Sequence, residues 1–251
     1  MPKLIFLGVS NAVPSRDHDS THMVLLGELK TVLIDCGTSP VVRLHQAGLN
    51  PLSITDLIIT HFHPDHVSGL AMFLMDSWLL GRKESFNIYG LDTTIEKARQ
   101  MMALFEWHMW PGFFAVNFIP VSASARAPVL QAGEFRIIAS PVEHMIPNIG
   151  LRVEFPGPGK VLAYSCDTMP SPAVMDLADQ ADWLIHEATG EALGHTSADQ
   201  AGEIARQAGV KKLYLIHYQT WGFDASGLVQ EAQRQFAGPV ELAVDFAQIE
   251  I

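Results

Sequence analysis

Short apolar runs recur along the chain at residues 4–7, 23–26, 32–34, 57–59 and 86–89, and again at 135–139, 151–155, 161–164, 183–185, 213–216 and 240–244. Most are β-branched or aromatic and many are bounded by turn residues, which predicts strands. Between them, residues 67–80, 93–107, 173–178, 197–207 and 226–236 place apolar side chains three and four apart, which predicts helices. Ser197-Ala198-Asp199-Gln200 supplies small polar residues that cap free amides where a helix opens. Strands dominate the first half, and strand and helix alternate in the second. Two mixed sheets with helices on their outer faces satisfy that order. No linker, charge block or low-complexity tract divides the chain, so one domain over residues 1–251 is expected.

Composition narrows the function. With 251 residues, 48% of them hydrophobic, the chain can bury one large core. Asp and Glu number 27 against 16 Lys and Arg, a formal net charge of −11. Polynucleotide binding rests on cationic neutralisation of phosphates, so a large nucleic-acid footprint is not expected. Cys36 and Cys166 form no CxxC pair, which fits a reducing compartment. The opening apolar run is too short for a signal-peptide core. No apolar segment approaches the roughly 20 residues that span a bilayer. A cytoplasmic protein with a small-molecule substrate and no membrane partner is expected.

The chemistry concentrates in Thr60-His61-Phe62-His63-Pro64-Asp65-His66, directly after an apolar run. In an extended segment residues two apart face one side, so His61 and His63 converge on one metal ion. Pro64 ends the strand, and Asp65 with His66 then faces a second position. Imidazoles completed by carboxylate suit a pair of transition-metal ions. Three later apolar runs are likewise followed closely by polar residues: His144, Asp167 and His217. Sites in α/β proteins gather at the carboxyl ends of strands.

H-x-H-x-D-H followed by these three residues resembles the metallo-β-lactamase superfamily, which implies an α/β fold, the four-layer αββα sandwich. The resemblance implies that His61, His63 and His144 hold a first ion and Asp65, His66 and His217 a second. Asp167 would bridge them, one oxygen to each. Two divalent ions are implied, zinc first, with manganese or iron also suited to the donors. Further motifs resemble the ribonuclease Z group: Ile185-His186-Glu187-Ala188-Thr189, then Gly194-His195-Thr196-Ser197, and Tyr164-Ser165-Cys166-Asp167-Thr168, where Cys166 replaces the usual glycine. The opening stretch around Leu7-Gly8 and the segment Leu33-Ile34-Asp35-Cys36-Gly37 also look like that group's first strands. This implies a metal-dependent hydrolase that attacks phosphodiesters with a hydroxide bridging the ions. Asp65 would orient that water, and His195, oriented by Glu187, would stabilise the developing charge or protonate the leaving oxygen. His186 is expected to be a buried, hydrogen-bonded histidine, and Cys166 a small packed residue.

The tRNA-processing members carry a long basic arm, which in the bacterial form lies between the positions matching His144 and Asp167. Here only residues 145–166 separate them, and residues 153–160 read as a strand and a tight turn. Small phosphodiesters such as cyclic nucleotides or phosphonate-type diesters are therefore the expected substrates. A tRNA 3'-processing endonuclease is the alternative, and a lactonase or sulfate-ester hydrolase a further one. Residues 101–114, dense in Met and aromatics, are expected to form a core helix leading into a loop; the alternative is an apolar substrate wall or a homodimer surface.

Overall fold

The apolar runs pair into two seven-stranded mixed sheets. The structure, a computed structural model, describes residues 2–251. In chain order the strands are β1 (Lys3–Gly8), β2 (His22–Leu26), β3 (Thr31–Ile34), β4 (Asp56–Ile58), β5 (Phe86–Leu91), β6 (Val116–Val121), β7 (Ala127–Gln131), β8 (Arg136–Val142), β9 (Asn148–Phe155), β10 (Lys160–Tyr164), β11 (Trp183–Glu187), β12 (Lys212–Ile216), β13 (Val240–Leu242) and β14 (Gln248–Glu250). The helices are α1 (Pro40–Gln46), α2 (Pro64–Val67), α3 (Leu70–Leu79), α4 (Asp92–Leu104), α5 (Pro172–Ala178), α6 (Ala198–Gln207) and α7 (Leu228–Gln233). The first sheet has the order β14-β1-β2-β3-β4-β5-β6 and the second β13-β12-β11-β10-β9-β8-β7. Strands β3 to β6 run parallel, as do β10 to β13.

The strands read as continuous apolar runs because both faces of each sheet are covered. On β1, Leu4 and Phe6 join the core shared with the second sheet, while Ile5 and Leu7 join the core under α1, α3 and α4. Helices α5, α6 and α7 cover the outer face of the second sheet. The result is the expected αββα sandwich. Among the described residues, no helix is long and apolar enough to cross a membrane.

Elements that the sequence pattern does not announce are marginal ones. Strand β6 contains Asn117 and Pro120 and lies at a sheet edge, where a proline costs no ladder hydrogen bond. Strand β7 lies at the other sheet's edge, and β14 is three residues long. Helix α1 is a seven-residue helix opened by Pro40. The predicted helix over 67–80 is broken at Ser68 and Gly69. A Cβ on Gly69 would lie 1.9 Å from the carbonyl oxygen of Gly37, so only glycine permits this approach. Residues 101–114 do form a helix end leading into a loop. Trp107, Trp110 and Phe113 pack edge-on or stacked among themselves and with Trp78. Leu104, Phe105 and Met109 stay 83%, 53% and 71% exposed.

Strands β9 and β10 form a hairpin across residues 156–159, with Phe155 opposite Lys160. No arm leaves the fold at this point.

Candidate metal centre

The β4 ladder ends at Ile58, but the chain stays extended to His63, whose φ and ψ are −85° and 150°. His61 and His63 therefore project to one side. Pro64 then opens α2, with its missing N–H at a position that needs none, and the helix's first turn carries Asp65 and His66. His63 Nδ1 lies 3.1 Å from His61 Nε2 and 3.1 Å from His144 Nε2. Nitrogens bound at 2.0–2.1 Å to a tetrahedral ion stand about 3.3 Å apart, so this spacing is that of a ligand tripod. His144 Nδ1 donates to the carbonyl of Gly194 at 2.7 Å, which leaves Nε2 its lone pair. Gly194 has φ +83°, and a Cβ there would lie 2.9 Å from that Nδ1.

A second cluster lies beside the first. Asp65 Oδ2 is 3.4 Å from both His66 Nε2 and His217 Nε2. Asp167 Oδ2 is 3.5 Å from His66 Nε2, 3.3 Å from His217 Nε2 and 3.9 Å from His61 Nε2. One carboxylate thus faces both clusters. The sequence leads one to expect an oxygen for each ion; here Oδ2 is turned to both clusters. Asp167 Oδ1 and His66 Nε2 are buried with no hydrogen-bond partner. Buried polar atoms are rarely left so, and these two ask for a ligand.

The electrostatics agree. Burial pushes the pKa of His61, His63 and His144 below the ordinary value, which keeps their lone pairs free. Burial opposes charge at His66 and His217 as well, but the nearby carboxylates outweigh it and raise both. Asp65 and Asp167 are held below the usual carboxylate range, because the surrounding imidazoles overcome their burial. Burial combined with ionised carboxylates suits bound cations, and the His and Asp donors suit zinc.

Glu187 ends β11 fully buried. Its Oε1 accepts from His195 Nδ1 at 3.0 Å and from the backbone N–H groups of Thr168 and Thr196 at 3.1 Å. Its Oε2 accepts from Thr189 N–H at 2.9 Å. Burial lowers the affinity of His195 for a proton, but the bond to Glu187 and its charge raise it above the ordinary value. A donor atom of His195 lies within 4.8 Å of those of His144 and Asp167, so the pair stands at the shared carboxylate. His186 is buried outside both clusters, with Nδ1 bonded to the carbonyl of Glu187 at 2.8 Å.

Asp35, Cys166 and His217 have φ of 61°, 53° and 54°, a left-handed backbone that L residues seldom adopt. Strain of this kind clusters at functional sites. A glycine at the position of Cys166 would adopt this backbone without strain. The Cys166 thiol is pushed up by burial and packs 3.7 Å from His61 Nδ1. Sequence reasoning leaves Asp35, Thr60 and Thr189 without roles. Asp35 accepts from His66 Nδ1 at 2.8 Å, and Thr189 Oγ1 lies 2.9 Å from His217 Nδ1. The available signal for Asp35 is an acid directly after a buried apolar run.

Comparison with known proteins places the chain among relatives of this fold. Residues 2–238 match the family described as "Anti-Pycsar protein Apyc1". A Ribonuclease Z of Methanothermobacter thermautotrophicus is 29% identical over 306 aligned positions, covering 100% of this chain and 97% of that protein. Since 306 exceeds the chain's 251 residues, that relative carries segments absent here. The metallo-beta-lactamase fold protein YhfI of Bacillus subtilis superposes with a TM-score of 0.83 at 21% identity, covering 100% of this chain and 99% of its own. Human tRNase Z, short form, superposes with a TM-score of 0.78 at 25% identity, covering 99% of each chain. The chain belongs to the family described as Anti-Pycsar protein Apyc1, and it is a ribonuclease Z-like, metal-dependent hydrolase of the metallo-β-lactamase superfamily.

Proposed function

We propose that this chain hydrolyses small phosphodiesters, with cyclic nucleotides as the leading class, at a dinuclear metal centre. The observation that carries this reading is the Glu187–His195 pair set against the carboxylate that faces both ligand clusters. His61, His63 and His144 would hold one ion, Asp65, His66 and His217 the other, and Asp167 both. Bound zinc, or manganese or iron in its place, supplies charge neutralisation and an acidified water for attack on phosphorus. Asp65, 10% exposed at its side chain, orients the attacking water with the oxygen that faces the site. His195, whose affinity for a proton the bond to Glu187 raises, stands beside the shared carboxylate. From there it neutralises charge on the phosphoryl oxygens or gives its proton to the leaving oxygen.

Substrate size follows from the β9–β10 hairpin, which occupies the place where an arm would grip tRNA, and from the net charge of −11. A tRNA 3'-endonuclease is the second reading, favoured by the relative named Ribonuclease Z that aligns over 97% of its length. The test is a panel with zinc or manganese added: bis-p-nitrophenyl phosphate, a cyclic nucleotide, a tRNA precursor at physiological salt, phenyl sulfate, a lactone and a β-lactam. Cleavage of the first two is expected. Efficient maturation of the tRNA precursor, or hydrolysis of the lactone or sulfate ester alone, overturns the proposal.

A further inference from the structure

We propose that a cavity beside the His195 loop holds the base of a cyclic nucleotide and selects bases that carry an exocyclic amino group. The inference rests on the phosphodiesterase reading above and deepens it. Strands β11 and β12 run parallel with Glu187 opposite Ile216, so the loops that leave their ends start side by side. One loop carries Thr189 and His195, and the other begins at His217. Between these loops and the helices α6 and α7 that follow them lies a cavity of about 310 Å³. Small-molecule sites span about 300–1,000 Å³, so this one suits a single ring system. Thr189 joins it to the metal centre: the residue lines the cavity, and its hydroxyl lies 2.9 Å from His217 Nδ1.

Small side chains leave this space open, and one aromatic residue borders it. Buried Ala188 and Ala198 line the cavity. Phe223, 47% exposed, lines it from the loop after His217 and supplies a ring on which a base can stack. A Cβ on Gly202 would lie 2.3 Å from the carbonyl oxygen of Ala232, so α6 and α7 touch there. That contact fixes Glu231, on α7, relative to Ala198, on α6.

The polar groups decide the occupant. The Thr189 hydroxyl donates to the carbonyl of His217 at 2.8 Å and has no second proton to give. Gln219 spends an amide N–H on the carbonyl of Trp221 at 3.2 Å, and its own oxygen can accept. Glu191 and Glu231 add two carboxylates, which accept only when ionised. Among the described residues, no Lys, Arg or His lines the cavity. An anion is repelled here, so the phosphoryl group belongs at the metal centre and the base in the cavity. A ring with an apolar face and amino N–H groups matches these acceptors, whereas a carbonyl in place of the amino group sets lone pair against lone pair. Glu231 is half-buried on a helix and Glu191 is exposed on a loop, which makes Glu231 the selecting residue.

The test measures kcat and KM of the zinc- or manganese-loaded chain on two substrates. These are cyclic adenosine monophosphate and cyclic purine riboside monophosphate, which differ only in the amino group. A site built to bond that group rejects the analogue without it, so KM for the adenine substrate is expected to be about 10–100-fold lower. Glu231→Leu keeps comparable bulk and removes the acceptor. It is expected to raise KM for the adenine substrate about tenfold and to bring the two substrates within about threefold of each other. Phe223→Ala is expected to raise KM for both about tenfold, because stacking tolerates any base. Equal KM values in the parent, or a Glu231→Leu chain that separates the substrates as the parent does, overturn the inference. The parent comparison needs no variant, so a Glu231→Leu chain that fails to fold leaves the inference open to refutation. Cleavage of bis-p-nitrophenyl phosphate and of both cyclic nucleotides at equal KM removes this inference alone. Cleavage of no phosphodiester removes the proposed function and the inference with it.

Discussion

Replacing His195 by alanine separates the chemistry of the site from its metal binding. The ring is one of four donors on the Glu187 carboxylate; the backbone N–H groups of Thr168, Thr189 and Thr196 remain when it goes. Glu187 is therefore not orphaned, and the stability loss falls at the low end for a charged hydrogen bond, about 1.5 kcal/mol. The seven proposed ligands of the two clusters are untouched, so zinc content should equal that of the parent. Loss of a positioned proton donor costs about 10²–10⁴ in rate, or about 3–5 kcal/mol of barrier. The assay is kcat and KM on bis-p-nitrophenyl phosphate, with elemental analysis of the same preparation. An unchanged kcat refutes a catalytic role for His195, and loss of zinc means the residue is itself a ligand.

Gly69→Ala would force a Cβ into the Gly37 carbonyl and push the 35–37 segment off α2. It is expected to cost about 1–3 kcal/mol or more and to weaken zinc at the Asp65, His66 and His217 cluster; unchanged denaturation and zinc titration would refute this. Burial would raise the Asp182 carboxyl, yet Lys211, Lys160 and the N–H of Val161 hold it below the usual range. A lowered folded pKa stabilises above the unfolded value near 3.9 and is lost as pH falls through the folded one. Asp182→Asn should therefore cost about 1–2 kcal/mol at pH 7, and the gap should close as the pH falls through the folded value; a gap independent of pH counts against it. The exposed Leu104, Phe105 and Met109 beside the aromatic cluster are expected to pair two copies of the chain, and a monomeric mass by light scattering at high concentration would count against that.

The ligand motif was legible because its geometry is local. Three imidazoles and a carboxylate within six residues, after an apolar run, need only an extended backbone and one helical turn to converge. The αββα order was legible for a similar reason, since strands covered on both faces write unbroken apolar runs. The edge strands β6, β7 and β14 were not, because an edge tolerates Asn, Pro and short length. Burial and orientation at Glu187 belong to the tertiary structure, which brings three backbone donors and His195 around one carboxylate.

Asp35 marks the boundary most clearly. The sequence by itself determined that an acid follows the β3 run and that a threonine precedes His61. Their contact depends on the parallel register of Ile34 with Ile58, a long-range pairing that no local pattern encodes. Only that pairing, and the glycine that lets α2 approach the 35–37 loop, sets one carboxylate against both Thr60 and His66. Residue types that suit metal chemistry are a local property of the chain, whereas the tautomer of each ring is set by what the folded sheets bring behind it.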